Sequence, residues 1–337
     1  MANRAIHTPD GFRDLYGESC MAKRELMDRV REVFGRYAYE NIETPTVEFF
    51  DVFSSDIGTT PSRELYKFFD RDGNTLVLRP DFTPSVARAA AMHFPDERFP
   101  ARLSYEGSTF VNSAELQGRL KEQTQMGIEL LGDASPEADA EVIAMTAEIL
   151  LAAGISRFQV SVGEVDFFKA LADASGLSGE EIGSLRALIS SKNFFGVEEL
   201  LGGFAVESRL KEAFVRLPNL FGGPEVLDEA AAFAAAPREK AALERLFAIS
   251  RILEARGLSR YVSYDFGMLS KFNYYTGIIF SAYTYGTGEP VAKGGRYDNL
   301  LGHFGKEEPA VGFGVYIDQL MSALSRQGLR KGKEAEL

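Results

Sequence analysis

The fold is decided by Leu103-Ser104-Tyr105-Glu106-Gly107-Ser108-Thr109-Phe110 together with Gln125-Met126-Gly127-Ile128-Glu129, interpreted with the elements on either side. Before this stretch, apolar residues recur every three or four positions from Leu26 to Tyr37, which predicts an amphipathic helix packed on a sheet. After it, a helix is predicted from Ser135, a suitable cap, to Ala153, and alternating apolar residues from Phe158 to Val162 predict a half-buried strand. Helices and strands thus mix along one α+β chain.

Strand signals also lie on both sides of a long helical region. Leu76-Val77-Leu78 follows the turn Asp70 to Asn74, which predicts a hairpin. From about Phe167 to Gly257 helical patterns replace strand signals, and strand character returns from Tyr274 to Tyr283, before a glycine-rich turn at Lys293 to Asp298. We therefore predict a discontinuous core domain, 1–166 and 258–330, a helical insertion, 167–257, and a tail, 331–337.

Composition and charge exclude several classes of protein. The 337 residues are 45% hydrophobic and 26% charged, which is typical of a globular protein. The net charge of −12 opposes the counterion release that dominates affinity for nucleic acid, so we expect no nucleic-acid partner. No apolar run approaches the roughly 20 residues of a membrane-spanning helix, and the N-terminus lacks the apolar region of a secretory signal. We expect a cytoplasmic protein with no membrane partner.

Cysteine and histidine usage indicates no metal chemistry. The single cysteine, Cys20, cannot form an internal disulfide and is interpreted as a packed small residue. His7, His93 and His303 lie far apart and have no carboxylate or cysteine at the spacing of metal ligands. We expect neither a metal nor a cofactor.

Four blocks together resemble class II aminoacyl-tRNA synthetases, and histidyl-tRNA synthetases in particular. The block Tyr39 to Pro45 is similar to the first signature motif, which forms that family's dimer interface, and Leu78 to Pro84 is similar to its Leu-Arg-Pro-Glu-x-Thr stretch. The stretch quoted first matches the two antiparallel strands of the second motif without a gap. The residues 273–277, 294–298 and 309–314 resemble the histidine-specific Asp-Tyr-Tyr segment and the third motif. The resemblance spans about residues 8 to 325 and implies an antiparallel sheet flanked by helices, with a helical insertion.

Three positions where the resembling family carries arginine hold other residues here: Val111, Ser270 and Gln319. That family makes an aminoacyl adenylate from ATP, and the planar guanidinium pairs with two phosphate oxygens at once. Lys271 beside Ser270 is a cation, but an ammonium cannot reproduce a bidentate guanidinium. Because losing one preorganised charge stabiliser costs about 10² to 10³ in rate, we predict that the chain does not catalyse adenylation.

The amino-acid pocket of the resembling family is largely matched. The resemblance implies that Asp81, Thr83 and Gln125 hold the α-amino group of histidine, while Glu129 and Tyr275, with Tyr274 beside it, hold the imidazole. This is sensible chemistry, because carboxylate and carbonyl oxygens accept from an ammonium, and a carboxylate plus a phenol can fix both ring nitrogens. Asp81 replaces a Glu and is one methylene shorter, which puts its direct α-amino contact in doubt.

Each of these residues also has a simpler interpretation. Most polar residues in or beside strands only face solvent, and the paired tyrosines in a strand would point to opposite faces, one to the core and one to the pocket. The pair Gly294-Gly295 fits a hairpin turn or a pocket floor. The remaining basic residues fit either ordinary surface cations or a residual anion site, and both interpretations stay open for Arg79, Arg119 and Arg296.

A histidine pocket without adenylation arginines resembles the regulatory subunits of ATP phosphoribosyltransferase, paralogues of histidyl-tRNA synthetase. The chain stops at Leu337, where a synthetase would continue into an anticodon-binding domain. The resemblance implies a non-catalytic subunit required for the first step of histidine biosynthesis and its feedback regulation by histidine. Its partners would be a short-form catalytic subunit and a second copy, bound near Pro45. The alternatives are a histidine-activating ligase that acts on a non-tRNA acceptor and a histidine-binding module with an unrelated target.

Overall fold

A computed structural model describes residues 6–54, 60–113, 120–269 and 274–329. Arg119, Ser270 and the predicted tail at 331–337 lie outside the described residues. The helices and strands of the described residues are, in chain order, α1 (Gly17–Arg36), β1 (Glu40–Asn41), β2 (Val47–Phe49), β3 (Lys67–Phe69), β4 (Thr75–Leu78), α2 (Thr83–His93), β5 (Ala101–Phe110), β6 (Glu122–Leu131), α3 (Pro136–Ala152), β7 (Phe158–Glu164), α4 (Val165–Ala174), α5 (Gly179–Ser190), α6 (Phe194–Gly202), α7 (Ser208–Arg216), β8 (Phe221–Gly222), α8 (Glu225–Ala231), α9 (Pro237–Ala255), β9 (Val262–Asp265), β10 (Ile278–Thr284), β11 (Ala292–Arg296), β12 (Ala310–Tyr316) and α10 (Ile317–Arg326).

A nine-stranded sheet forms the centre of the fold, in the order β1-β5-β6-β12-β11-β10-β7-β9-β8. The strands β5, β6, β12, β11, β10 and β7 are antiparallel to their neighbours in this run. The pairs β1 with β5 and β7 with β9 are parallel. The sheet is therefore mixed and mostly antiparallel, flanked by helices, and the α+β prediction is confirmed.

The two faces of the sheet differ because side chains alternate along each strand. On β6, Met126, Ile128 and Leu130 join the main hydrophobic core with α1 and α3, whereas Gln125 and Glu129 point to the other face. The amphipathic pattern from Leu26 is confirmed, since Leu26 and Val33 of α1 are buried in that core. The open face is thus left for the candidate site.

Local sequence signals account for the best-predicted elements. The hydroxyl of Ser135 accepts a hydrogen bond from the Ala138 amide and caps α3, and Pro136 occupies the first turn. Gly154 follows the end of the helix and adopts the left-handed conformation, with φ +95°. The predicted hairpin is β3 and β4, which pair in a small three-stranded sheet with β2.

The region predicted as an insertion is helical except for one short strand. Six helices, α4 to α9, lie between Val165 and Ala255 in the described residues, and β8 adds to the edge of the large sheet through β9. Buried residues from α4, α7 and α9 belong to the same hydrophobic core as the sheet. The domain boundaries at 167 and 257 therefore stay a prediction.

Two sequence expectations about local structure are wrong. Tyr274 and Tyr275 precede β10, which begins at Ile278, so they are not alternating residues of one strand. Lys293 to Arg296 is part of β11 and not a turn, and the Cβ of an alanine at Gly294 would lie 2.5 Å from the carbonyl oxygen of Gly312. Glycine is needed here for close approach of strands and not for a bend.

No helix among the described residues is long and apolar enough to cross a membrane.

Candidate functional site

A cavity of about 410 Å³ opens over the face of the sheet that carries Gln125 and Glu129, a size typical of small-molecule sites. Its lining residues that sequence analysis selected for histidine are Asp81, Thr83, Gln125, Tyr274 and Tyr275. Asp81 comes from the turn between β4 and α2, Thr83 is the first residue of α2, and Gln125 comes from β6. Three separate parts of the chain therefore meet at one cavity.

Glu129 lies beneath the cavity and is fully buried. The hydroxyl of Thr83 donates to its Oε1 at 2.7 Å, while Oε2 has no hydrogen-bond partner among the described residues. Burial raises the pKa of Glu129 well above its ordinary value, and the hydrogen bond from Thr83 opposes that rise. Leaving a buried carboxyl oxygen without a hydrogen-bond partner costs free energy unless a bound ligand makes a hydrogen bond to it.

Two tyrosine hydroxyls near Glu129 are also buried without a hydrogen-bond partner in the described chain. The rings of Tyr274 and Tyr297 stack with centroids 5.3 Å apart, and both hydroxyls are buried without a hydrogen-bond partner in the described chain. Tyr275 lies edge-on to Tyr274 at 4.9 Å and also lines the cavity. Tyr274 and Tyr297 thus supply two phenols near Glu129. Phenol and carboxyl groups can each donate or accept, which suits the two nitrogens of an imidazole.

Tyr297 was missed in the sequence analysis, although it lies in a quoted block. It follows Gly295 by two positions, so the alternation continued from β11 places both on the cavity face. Tyr105 was also missed: its hydroxyl accepts from Gln125 Nε2 at 3.3 Å beneath the cavity. The alternation signal was available in both cases, but only the fold indicates which face is the open one.

Glycines on β12 make room for the side chains of β6. Gly312 pairs in register with Glu129, and the Cβ of an alanine there would overlap the Glu129 carboxylate. The amide of Gln125 occupies the corresponding space over Gly314. The sequence Gly312-Phe313-Gly314 therefore clears one face of β12 while Phe313 packs in the core on the other.

The α-amino end of the predicted site is built around Asp81. Its Oδ1 accepts from the Phe82 amide at 2.7 Å and lies 3.4 Å from Gln125 Nε2. Gln125 is buried, and its amide is held between Asp81 and Tyr105. This end of the cavity presents carboxylate and amide oxygens, the acceptors that an ammonium group requires.

The positions of the absent arginines face the same cavity. Val111 and Gln319 both line it, and no arginine of the described residues does so. The cations that line it within the described chain are Lys121 and Lys293. Ser270 lies outside the described residues, so its position is not placed.

The expected anion site is not formed by Arg79 and Arg296. Arg79 is buried, donates to the carbonyl oxygens of Thr44 and Ser108, and stacks on the Phe82 ring. Arg296 lies on the opposite face of β11 from the cavity and is ion-paired with Asp139 of α3 at 2.7 Å and with Asp298 at 2.9 Å. Both guanidinium groups are therefore buried and structural and neither lines the cavity, so neither of the two interpretations left open, a surface cation or a residual anion site, describes them. Arg119 lies outside the described residues.

Fold and site together define a protein of the histidyl-tRNA synthetase class, and the family model described as histidyl-tRNA synthetase matches residues 11–320. The crystal structure of a histidine–tRNA ligase subunit from Alicyclobacillus acidocaldarius has a TM-score of 0.79 and 29% identity, and the match covers 96% of this chain and 98% of that one.

Two further relatives indicate the particular family within this class. A protein from Acetivibrio thermocellus described as an ATP phosphoribosyltransferase regulatory subunit is 45% identical over 97% of this chain and 78% of its own length. A crystal structure described as an ATP phosphoribosyltransferase regulatory subunit/histidyl-tRNA synthetase, from Bacillus halodurans, has a TM-score of 0.89 and 34% identity, covering 95% of this chain and 83% of that one. The chain belongs to the family of ATP phosphoribosyltransferase regulatory subunits. The family predicted from the sequence is confirmed.

Proposed function

We propose that this protein is the non-catalytic regulatory subunit of an ATP phosphoribosyltransferase, acting in the cytoplasm, and that its cavity binds histidine as the feedback signal. In this function the protein assembles with a short-form catalytic subunit and is required for the first step of histidine biosynthesis. The observation that carries the proposal is the composition of one cavity. Acceptors for an amino acid are kept around Asp81 and Glu129, while Val111 and Gln319 stand where adenylation requires cations.

The chemistry of the inner end supports histidine over other amino acids. Glu129 Oε2 and the hydroxyls of Tyr274 and Tyr297 are buried polar atoms, and the two nitrogens of one imidazole ring would satisfy two of them. An aliphatic or simple aromatic side chain would leave all three without partners, at a cost of about 1 to 3 kcal/mol each. Histidine binding would also couple to assembly, because a ligand that favours one state of a complex must in turn bind that state more tightly.

Co-purification with a short-form ATP phosphoribosyltransferase catalytic subunit tests the assembly. We expect a complex, catalytic activity that depends on this chain, and inhibition of that activity by histidine. If no complex forms and activity does not change, the assignment as a regulatory subunit is wrong and a histidine-binding module with another target remains.

Calorimetry tests the pocket separately. We expect Glu129→Ala to weaken histidine binding by about tenfold or more, because the substitution removes a buried hydrogen-bonding group. Glu199→Ala, which removes an exposed carboxylate from α6, is the matched control and should bind histidine as the unsubstituted chain does. Equal affinity in both variants would refute the site.

We also propose a dimer through the surface near Pro45. Pro45 is exposed, and the neighbouring side chains of Val47 and Phe49 on β2 are 40% and 56% exposed. Together with Phe68 on β3, 37% exposed, they form an apolar surface that a second copy would cover. We expect Phe49→Asp to shift sedimentation toward a monomer, and an unchanged sedimentation coefficient would contradict the proposed interface.

A further inference from the structure

The charges along the cavity are unevenly distributed. Asp81 lines its inner end and the Glu129 carboxyl lies beneath that end, while Lys121, Lys293 and the carboxylate Glu289 are the other charged side chains that line it within the described chain. A free amino acid brings an ammonium and a carboxylate on one carbon atom. The acceptors at the inner end suit the ammonium, so the carboxylate needs a separate donor, and a charged donor makes the strongest hydrogen bond to it.

The sheet register places Lys293 beside the group that would hold the α-amino nitrogen. Lys293 of β11 is opposite Gly314 of β12, and Gly314 is opposite Gly127 of β6, midway between Gln125 and Glu129. The amide of Gln125 lies over Gly314, so it occupies the space next to Lys293 on the same face. Because the amino and carboxylate groups share the α-carbon, a cation next to Gln125 is well placed for the carboxylate.

Lys121 lies too far along the sheet for this role. It precedes Gln125 by four residues of extended chain, which is about 13 Å at roughly 3.3 Å per residue. Its ammonium donates to the Asn112 side-chain oxygen at 3.2 Å, and its stem packs against Gly11. Lys121 therefore lines the same cavity but lies too far from Gln125 to pair with the ligand carboxylate. A substitution of Lys121 is a matched control for a substitution of Lys293.

We propose that the Lys293 ammonium pairs with the α-carboxylate of the bound amino acid and makes the pocket select ligands with a free carboxylate. This inference rests on the proposed histidine binding. The Lys293 side chain is exposed at the cavity, and its ammonium has three N–H donors, so a ligand carboxylate can take one of them in addition to its contacts within the chain. The selection disfavours the alcohol and amine analogues of histidine, which carry the same imidazole and ammonium groups.

Calorimetry of the full chain with L-histidine and L-histidinol tests the inference, because the two ligands differ in the carboxylate. We expect the unsubstituted chain to prefer histidine by about tenfold or more, as for a hydrogen bond to a charged group. Lys293→Met should lose most of this preference while its affinity for histidinol changes less than about twofold. Lys293→Arg and Lys121→Met should keep the preference.

The possible failures are distinguishable. A preference that is unchanged in Lys293→Met overturns the role of Lys293 alone, and so does an equal loss in Lys121→Met. If neither ligand binds the unsubstituted chain, the proposed histidine pocket fails and this inference fails with it. Thermal unfolding midpoints of the variants confirm that each is folded; the exposed site of Lys293 predicts midpoints close to that of the unsubstituted chain.

Discussion

Gly312→Ala should damage the candidate pocket through a single added methyl group. The new Cβ would lie 2.7 Å from the Tyr297 hydroxyl, and it would overlap the Glu129 carboxylate and the backbone carbonyl oxygen of Ile128. Ordinary van der Waals contact begins at 3.4 Å, so the hydroxyl must retreat by about 0.7 Å and the carboxylate, which lies closer, must retreat further. The Thr83 hydroxyl, now 2.7 Å from Glu129 Oε1, would then lose its hydrogen bond.

The expected magnitude follows from the groups that move. Overpacking a core site destabilises a protein by about 1 to 3 kcal/mol. Displacing a hydrogen-bonded buried carboxyl group costs roughly 1.5 to 3 kcal/mol in binding, which is about 10- to 150-fold in affinity. We therefore expect Gly312→Ala to remain folded at 25 °C, to unfold at lower denaturant concentration, and to bind histidine at least tenfold more weakly by calorimetry.

Gly163→Ala separates the loss of stability from the loss of the pocket. The Cβ of an alanine at Gly163 on β7 would lie 2.6 Å from the Met268 carbonyl oxygen, and Gly163 does not line the cavity. This variant should lose stability by a similar amount and bind histidine normally. If Gly312→Ala binds histidine as tightly as Gly163→Ala does, Glu129 does not act where the structure places it, and the reasoning is refuted.

Two further predictions concern pH and catalysis. Burial raises the pKa of Glu164, the N-cap of α4, from 4.5 to about 8, so the folded chain binds this proton more tightly than the unfolded chain does and loses stability as pH rises from about 5 to 8. Glu164→Gln should flatten that loss, by up to about 1.4 kcal/mol per pH unit in denaturant titrations, and an unchanged slope would contradict the assignment. Because Val111 and Gln319 line the cavity, we expect no histidine-dependent exchange of pyrophosphate into ATP at high protein concentration; measurable exchange would favour the ligase alternative.

Sequence reasoning succeeded where a local signal and the final structure agree. The cap at Ser135, the apolar spacing from Leu26 and the alternation from Phe158 each determine one element, and each element is present, although the strand from Phe158 is buried on both faces and not half-buried as predicted. The selected residues Asp81, Thr83 and Gln125 also meet at one cavity, although they are distant in sequence. No pattern in a single segment encodes that meeting, and the resemblance to a known family supplied it.

The errors concern which face of the sheet a residue occupies. Arg296 and Tyr297 are adjacent in sequence, yet Arg296 packs against Asp139 on the helical face while Tyr297 lines the cavity. From sequence alone, an arginine in a glycine-rich block fits an anion site. The fold is needed to show that its ion-pair partner lies on the other face of the sheet. The prediction that Tyr274 and Tyr275 alternate within one strand is wrong for a related reason. β10 begins after them, so strand alternation does not apply to them.

The geometry supports the proposal that phosphate chemistry is lost while amino-acid recognition is kept. Val111 follows the end of β5 and Gln319 lies on α10, whereas Glu129 lies near the far end of β6 and bonds Thr83 of α2. From Glu122, the partner of Phe110, to Glu129 the strand extends about 23 Å at roughly 3.3 Å per residue. Substitutions at the outer end therefore leave the hydrogen bonds of the inner end intact, since sites more than about 10 Å apart usually act independently. A synthetase fold built this way can give up adenylation and keep a ligand pocket, which is what a regulatory subunit requires.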